Sequence, residues 1–219
     1  MKKTYKYLFV ILTAAVLLAS CASIDYSAFK ESRPRSILVM PPVNQSPDVN
    51  GPLTFLATST YPLAESGYYV IPPTLSDQTF KQNGVTVAEE AHAISHVRLY
   101  EIFGADAALY VTITKYGAKY LLTSSRVEAE ANARLVDLRN GVEIWNGKVY
   151  AESNSGASVS GGGLLGALIT VAANAAIQAS NVAKDKAYDV GRDANHTMLS
   201  AGKKNGILYG PYHPKYGTD

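Results

Sequence analysis

An alternating segment in the middle of the chain constrains its fold most strongly. Across residues 127–135, every odd position holds a small or aliphatic side chain and every even position a polar one. The apolar positions are Val127, Ala129, Ala131, Ala133 and Leu135. Because successive side chains of a β-strand point to opposite faces, this period of two predicts a strand with one buried face and one wet face. We therefore expect a long strand over residues 120–138.

An antiparallel meander is predicted around this strand. Asn140-Gly141 follows it and is a residue pair typical of a two-residue hairpin turn. The return strand, residues 142–153, carries the only tryptophan of the chain, Trp145. Residues 107–114, with the sequence AALYVTIT, predict a further strand on the N-terminal side.

A parallel strand–helix–strand unit is predicted near the N-terminal end of the domain. Residues 37–40 and 68–71 are short apolar runs, and each is followed by two prolines, which cannot donate ladder hydrogen bonds. Residues 52–66 between them predict a helix that ends at Gly67. Such a connection makes the two strands parallel with a right-handed crossover. We expect Pro62 to kink or divide the helix.

Further helical regions complete the predicted fold class. Thr86-Val87-Ala88-Glu89 is a capping box that opens a helix ending at Gly104. Residues 184–200 predict a polar helix, and the tyrosine- and proline-rich residues 207–219 predict a tail that is either laid along the surface or disordered. The prediction is an α/β fold: a mixed sheet with an N-terminal parallel strand–helix–strand unit and an antiparallel meander, covered by helices.

The N-terminus predicts export and lipid attachment. Three lysines precede the apolar run 8–19, which has the length of a signal-peptide core and is too short to span a bilayer comfortably. Leu18-Ala19-Ser20-Cys21 resembles the lipobox of bacterial lipoproteins, so Cys21, the only cysteine, is the predicted lipidation site. The alternative is an ordinary signal peptide with an incidental cysteine. The residue after Cys21 is Ala22 rather than aspartate, and the resemblance then implies the outer membrane.

Cleavage before Cys21 changes the charge balance of the chain. It removes three of the 20 lysines and arginines and none of the 18 acidic residues, so the mature chain has a net charge of −1. This balance gives no reason to expect nucleic acid as a partner. We predict a signal peptide over 1–20, a lipidated cysteine and polar tether over 21–35, and a single α/β domain over 36–219, with a C-terminal helical region and tail.

The motifs that suggest catalytic or cofactor chemistry are incomplete. Residues 161–166 match G-x-G-x-x-G, but the strand before them belongs to an antiparallel hairpin and no βαβ unit follows. His92 and His96 are four residues apart on a predicted helix, without a third metal ligand nearby, and two solvent-facing histidines are the simpler interpretation. Ser200-Ala201-Gly202-Lys203 lacks its companion motifs. The sequence therefore predicts no enzyme activity, no cofactor and no metal.

The glycine- and alanine-rich segment 160–180 leaves three alternatives open. It contains no charged residue, and it is predicted as a helix packed on its own domain, as an oligomer or partner interface, or as a membrane-entering segment. The candidate interface residues are Leu164, Leu165, Leu168, Ile169, Ala172, Ala176 and Ile177.

The hairpin sequence ANARLVDLRNGVEIWNGKVYAE, residues 131–152, resembles that of the curli-secretion-channel superfamily of lipoproteins. With the lipobox, the tether and a strand leading into Pro-Pro, nearly all of Cys21–Asp219 resembles a lipoprotein family of unknown function known from a neisserial vaccine-candidate antigen. The resemblance implies an α/β domain similar to the periplasmic domain of the secretion channel and to the N-terminal domain of the Tol translocation protein. It also implies other envelope lipoproteins as partners.

The functional expectation follows from these features. We expect an outer-membrane lipoprotein that faces the periplasm or the exterior, acts as a non-enzymatic component of an envelope transport, secretion or assembly complex, and forms a homodimer or a higher oligomer. The alternatives are a pore-forming or pore-accessory subunit and a periplasmic ligand-binding lipoprotein that uses a crevice near the two Pro-Pro strand ends. Secretion channels build their pore from two long amphipathic hairpins, whereas only one is predicted here, and its charges and alanines are poorly suited to lipid.

Overall fold

The computed structural model describes residues 25–120, 125–155, 186–203 and 205–219. Within these ranges the helices are α1 Ser27–Ser32, α2 Gly51–Glu65, α3 Pro73–Gln82, α4 Ala88–Ala93, α5 His96–Phe103 and α6, residues 186–199. The strands are β1 Ser36–Val39, β2 Val43–Asn44, β3 Tyr69–Val70, β4 Ala107–Tyr120, β5 Ser125–Asp137 and β6 Glu143–Ser155. No helix of this described part is long and apolar enough to cross a membrane.

All of these strands belong to one mixed sheet. The order is β3-β1-β4-β5-β6, and β2 pairs with β4 beyond the end of β1. The β1, β2 and β3 pairings are parallel, whereas β4, β5 and β6 form an antiparallel meander. Helix α2 connects the parallel strands β1 and β3, as the sequence predicts. The predicted fold class, an α/β fold with a mixed sheet, is therefore confirmed.

Helices cover both faces of the sheet, but not to the same extent. On one face, Phe29 of α1, Phe55 of α2 and Val190 of α6 join the larger apolar cluster. On the other face, α3, α4 and α5 pack against β1, β4 and the end of β5 near Val136. The alternation predicted for β5 is confirmed, since its odd positions 127–135 are at most 5% exposed. Their side chains all face the first, larger cluster.

The structure bears on two helix predictions. Pro62 does not divide α2, which runs unbroken to Glu65; the proline lies in the last turn, where it interrupts little of the helical hydrogen bonding. The helix predicted from the capping box to Gly104 is two helices, because the backbone is extended at Ile94 and Ser95. The hydroxyl of Ser95 accepts a hydrogen bond from the Arg98 amide and caps the second helix. Gly104 ends that helix in the left-handed conformation, as predicted.

The meander differs from its prediction at the turns. Strand β4 continues six residues beyond the predicted end, to Tyr120. The connection at Asn140-Gly141 spans five residues, 138–142, and not two. The Gly141 amide donates to the Asp137 carbonyl, and the Val142 amide donates to the Asn140 side chain. Gly141 has a φ of +77°, so a glycine is favoured there even though the turn is longer.

The far end of the meander extends beyond the parallel strands. Strand β1 pairs with β4 only as far as Leu109, and β2 pairs with it at Thr112 and Ile113. Residues 115–120, 125–130 and 150–155 therefore form a three-stranded extension, which we call the arm. The apolar face of the arm is covered by α2 and α6, where Tyr116 lies against Gly191. Its polar face is not part of the apolar cluster formed by α3, α4 and α5.

Larger side chains should destabilise the domain on the buried face of β5 but not on its exposed face. Ala131→Leu should lower the free energy of unfolding by about 1–3 kcal/mol, because the added atoms have no space beneath the helices. The neighbouring Asn132→Leu is the matched control, since its side chain is exposed on the opposite face. Urea unfolding followed by circular dichroism measures both changes. Equal destabilisation by the two variants would contradict the assigned faces.

Candidate attachment site and interaction surfaces

The predicted site residues lie outside the described residues. This applies to the lipidation site Cys21 and to the candidate interface set, Leu164, Leu165, Leu168, Ile169, Ala172, Ala176 and Ile177. Both remain predictions. The described part of the chain contains instead the elements next to these segments: α1 after Cys21, and the end of β6 and α6 on either side of the glycine-rich segment.

Helix α1 fixes the chain to the domain close to Cys21. It begins at Ser27, within the segment 21–35 that is predicted as a tether. Phe29 is 3% exposed and its ring packs 6.5 Å from that of Tyr68. The Tyr26 hydroxyl donates to the Gly206 carbonyl at 2.6 Å. The folded domain therefore starts six residues after Cys21, a span of roughly 20 Å when fully extended.

A buried carboxylate holds α1 against the hairpin. The Asp137 carboxylate accepts hydrogen bonds from the Ser32 hydroxyl at 2.7 Å and from Arg139 Nε at 2.9 Å. Arg139 also donates to the Ser32 carbonyl, at 2.6 Å. Burial raises the pKa of Asp137, but the hydrogen bonds from Arg139 and Ser32 outweigh this effect, and the net pKa is lowered. The carboxylate is thus held ionised as a structural group.

The C-terminal tail closes the same end of the domain. The Gly210 amide donates to the Ser66 carbonyl at 2.7 Å, and the Tyr68 hydroxyl donates to the Leu208 carbonyl at 2.7 Å. Of the two alternatives left open by the sequence, the tail is therefore laid along the surface. Between the tail and α1 lies a cavity of about 400 Å³, lined by Lys30, Arg33 and several tyrosines. This cavity adjoins the amino ends of β1 and β3. Open sheets usually bind ligands at the carboxyl ends of their strands, so the cavity is not the crevice predicted near the two Pro-Pro strand ends.

The polar face of the arm carries a connected set of charges. Glu130 lies between Lys115, at 2.7 Å, and Lys148, at 2.9 Å, on the two neighbouring strands. Arg126 forms a second pair with Glu152 at 3.1 Å. Hydrogen bonds from Lys115 and Lys148 lower the pKa of Glu130 to about 2. This surface is polar, and these five charged side chains pair with one another.

The two histidines do not form the pair suggested by their spacing. The break at Ser95 places them on separate helices, α4 and α5. His92 is half-buried rather than solvent-facing: its Nε2 lies 2.8 Å from the Pro41 carbonyl, and its ring meets that of Tyr110 edge-on. Burial lowers the pKa of His92. The ring of His96 lies instead beside Gly141.

The fold defines a class of protein, namely a helix-covered mixed sheet that begins a few residues after the predicted lipidation site Cys21. The chain belongs to the family described as "Putative lipoprotein GNA1162-like", whose model matches residues 24–212. The predicted family is therefore confirmed. Neither this description nor the name of the relative below refers to an enzymatic activity.

Individual relatives agree with this assignment. "Putative lipoprotein NMB1124/NMB1162" of Neisseria meningitidis serogroup B is 46% identical over 211 residues, which cover 94% of this chain and 96% of the relative. The crystal structure of lipoprotein GNA1162 from Neisseria meningitidis is 47% identical, with a TM-score of 0.54 over 66% of this chain and 99% of its own. The PelC dodecamer from Paraburkholderia phytofirmans, at 10% identity and a TM-score of 0.40 over 81% of this chain and 89% of its own, is too distant to indicate how this chain assembles.

Removal of Arg139 should loosen α1. Arg139→Ala leaves the buried Asp137 carboxylate without its main partner, so we expect a loss of about 1.5–3 kcal/mol in the free energy of unfolding. Trypsin should then cleave after Lys30 faster than in the wild type. Arg98→Ala, which breaks an exposed pair with Glu101, is the control and should cost at most about 0.5 kcal/mol. Equal effects of the two substitutions would contradict the role given to Asp137.

Glu130 should make the domain sensitive to acid. Its folded-state pKa of about 2 is below the ordinary value of 4.5, so its contribution is present above about pH 4.5 and is lost as the pH falls toward 2. Glu130→Gln should therefore flatten the stability profile between these values, as measured by urea unfolding at a series of pH values. Lys115→Met, which removes one of the two lysines, should have the same effect to a smaller degree. A variant profile parallel to that of the wild type would contradict this assignment.

Proposed function

We propose that this lipoprotein is anchored in the outer membrane through Cys21 and serves as a non-enzymatic component of an envelope transport, secretion or assembly complex. The observation that carries the proposal is the short distance between the predicted anchor and the folded domain. Because α1 is docked from Ser27 onward, only the five residues 22–26 separate the domain from the predicted lipidated cysteine. The domain is therefore held at the membrane surface, where a partner in the same membrane can reach it.

The chemistry of the described residues supports a structural role. The pKa of Glu130 and that of Asp137 are both lowered, and each carboxylate is paired with lysine or arginine. Carboxylates held in this way are poor proton donors and acceptors near neutral pH. Both groups join neighbouring elements of the fold, which is the role expected of structural ion pairs.

The arm favours an accessory role over pore formation by this chain alone. Its polar face carries paired charges, and its apolar face lies beneath α2 and α6. A strand that contacts lipid needs an exposed apolar face, because charges there are destabilising at the bilayer centre. We therefore favour a subunit that stands beside a channel or an assembly machine.

The test is membrane fractionation of three forms of the chain. The wild type should be recovered with the outer membrane, Ala22→Asp should shift toward the inner membrane, and Cys21→Ala should lose lipid-dependent membrane attachment. Crosslinking in intact cells should then join the wild type, but not the relocated variant, to another outer-membrane lipoprotein. Recovery of the wild type with the inner membrane, or the same crosslinks from both forms, would exclude the proposed location and role.

A further inference from the structure

Among the described residues, strand β6 forms an edge of the sheet. The other edge strand, β3, is two residues long, whereas β6 has 13 residues and pairs only with β5. Helix α1 lies beside its first residues, where Ser32 and Ile144 line a common cavity. Within the described part of the chain, residues 147–153 make no backbone hydrogen bond outside the β5–β6 ladder. This stretch therefore presents a row of peptide groups to a further strand.

The stretch lacks most of the features that normally protect an edge. It contains no proline, and its pairing with β5 is in continuous register from Trp145 to Ser155. A groove of about 330 Å³ runs beside Ala151 and Ser153, next to α6. One lysine, Lys148, stands on its polar face. A single lysine does not prevent pairing with an added strand that places an acidic residue opposite it.

The side chains of this stretch are complementary to those of a second β6 that runs antiparallel beside it. Lys148, Tyr150 and Glu152 lie on the polar face, with Tyr150 in the middle. When a second β6 runs antiparallel with Tyr150 opposite Tyr150, each Lys148 faces the Glu152 of the other copy. On the other face, Val149 meets Ala151, so no large side chain opposes another. Opposite charges in facing positions stabilise such pairs, and like charges destabilise them.

We propose that β6 pairs antiparallel with β6 of a second copy of this chain, about a two-fold axis at Tyr150. The contact is isologous and closes on itself, as in most homodimers. Each Lys148 already binds Glu130, and each Glu152 already binds Arg126. The dimer joins these pairs into one network of alternating charge across the axis.

The geometry of this dimer agrees with attachment to one membrane. A two-fold axis that relates antiparallel neighbours within one sheet is perpendicular to the sheet, so each face continues as the same face of the second copy. Phe29 places α1 on the face covered by α2 and α6. Both copies of α1 therefore lie on one side of the extended sheet, and both lipid anchors reach the same membrane.

Charge exchange at positions 148 and 152 tests the pairing. Lys148→Glu and Glu152→Lys each create two like-charge contacts in a homodimer, so we expect the dimer Kd to rise about tenfold or more in each variant. A mixture of the two variants restores opposite charges at both contacts and should dimerise as tightly as the wild type. Analytical ultracentrifugation of the lipidated mature chain in mild detergent measures all three. Each variant chain folds in the same way alone and in the mixture. Recovery of tight dimerisation in the mixture therefore reports on the interface and not on folding.

Cysteine crosslinking tests the register. Tyr150→Cys places two thiols in facing positions, within the Cα separation that a disulfide allows, whereas Lys148→Cys places them about 13 Å apart along the strands. We expect rapid oxidation to a covalent dimer for the first variant only.

Arg98→Glu on α5, away from β6, is the charge control and should leave the Kd unchanged. A monomeric wild type at about 100 µM, a mixture no tighter than its components, or equal crosslinking at 148 and 150 would overturn the proposal. None of these outcomes bears on the outer-membrane location, which fractionation tests separately.

Discussion

The contact between the alanine face of β5 and the helices above it is the interaction on which the rest of the structure depends. Ala129, Ala131 and Ala133 are at most 5% exposed, and they belong to the same apolar cluster as Phe55 of α2 and Val190 of α6. Larger residues at these positions would lift the helices from the strand. Because α2 connects the two parallel strands and also packs against β4, this cluster joins the parallel half of the sheet to the antiparallel half. The domain is one unit for this reason.

Ion pairs join further elements to the sheet at its two ends. At one end, Asp137 and Arg139 join the hairpin turn to α1, which follows the predicted lipid anchor. At the other end, Glu130 joins the three strands of the arm through two lysines. Both carboxylates have lowered pKa values because they accept hydrogen bonds from lysine or arginine side chains. Helix α1 and the arm are thus both fixed to the same sheet.

These features suit a protein that acts through its position and its contacts. A short connection separates the domain from the predicted lipid anchor, and the 13-residue strand β6 forms an edge of the sheet in the described part of the chain. In the proposed dimer, pairing at that edge would double the number of predicted lipid anchors and lengthen the sheet. Two-fold symmetry of this kind is the commonest arrangement of homo-oligomers.

The sequence by itself determined the sheet, its parallel and antiparallel halves, the buried face of β5 and the lipoprotein family. These depend on local periodicity, on proline and glycine positions and on a four-residue motif, all of which lie within short stretches. Only the tertiary structure decided the break at Ser95, the docking of α1 through Asp137 and the open edge of β6. Each of these depends on contacts between residues far apart in the chain, such as Ser32 with Asp137, and no local pattern specifies which distant groups will meet.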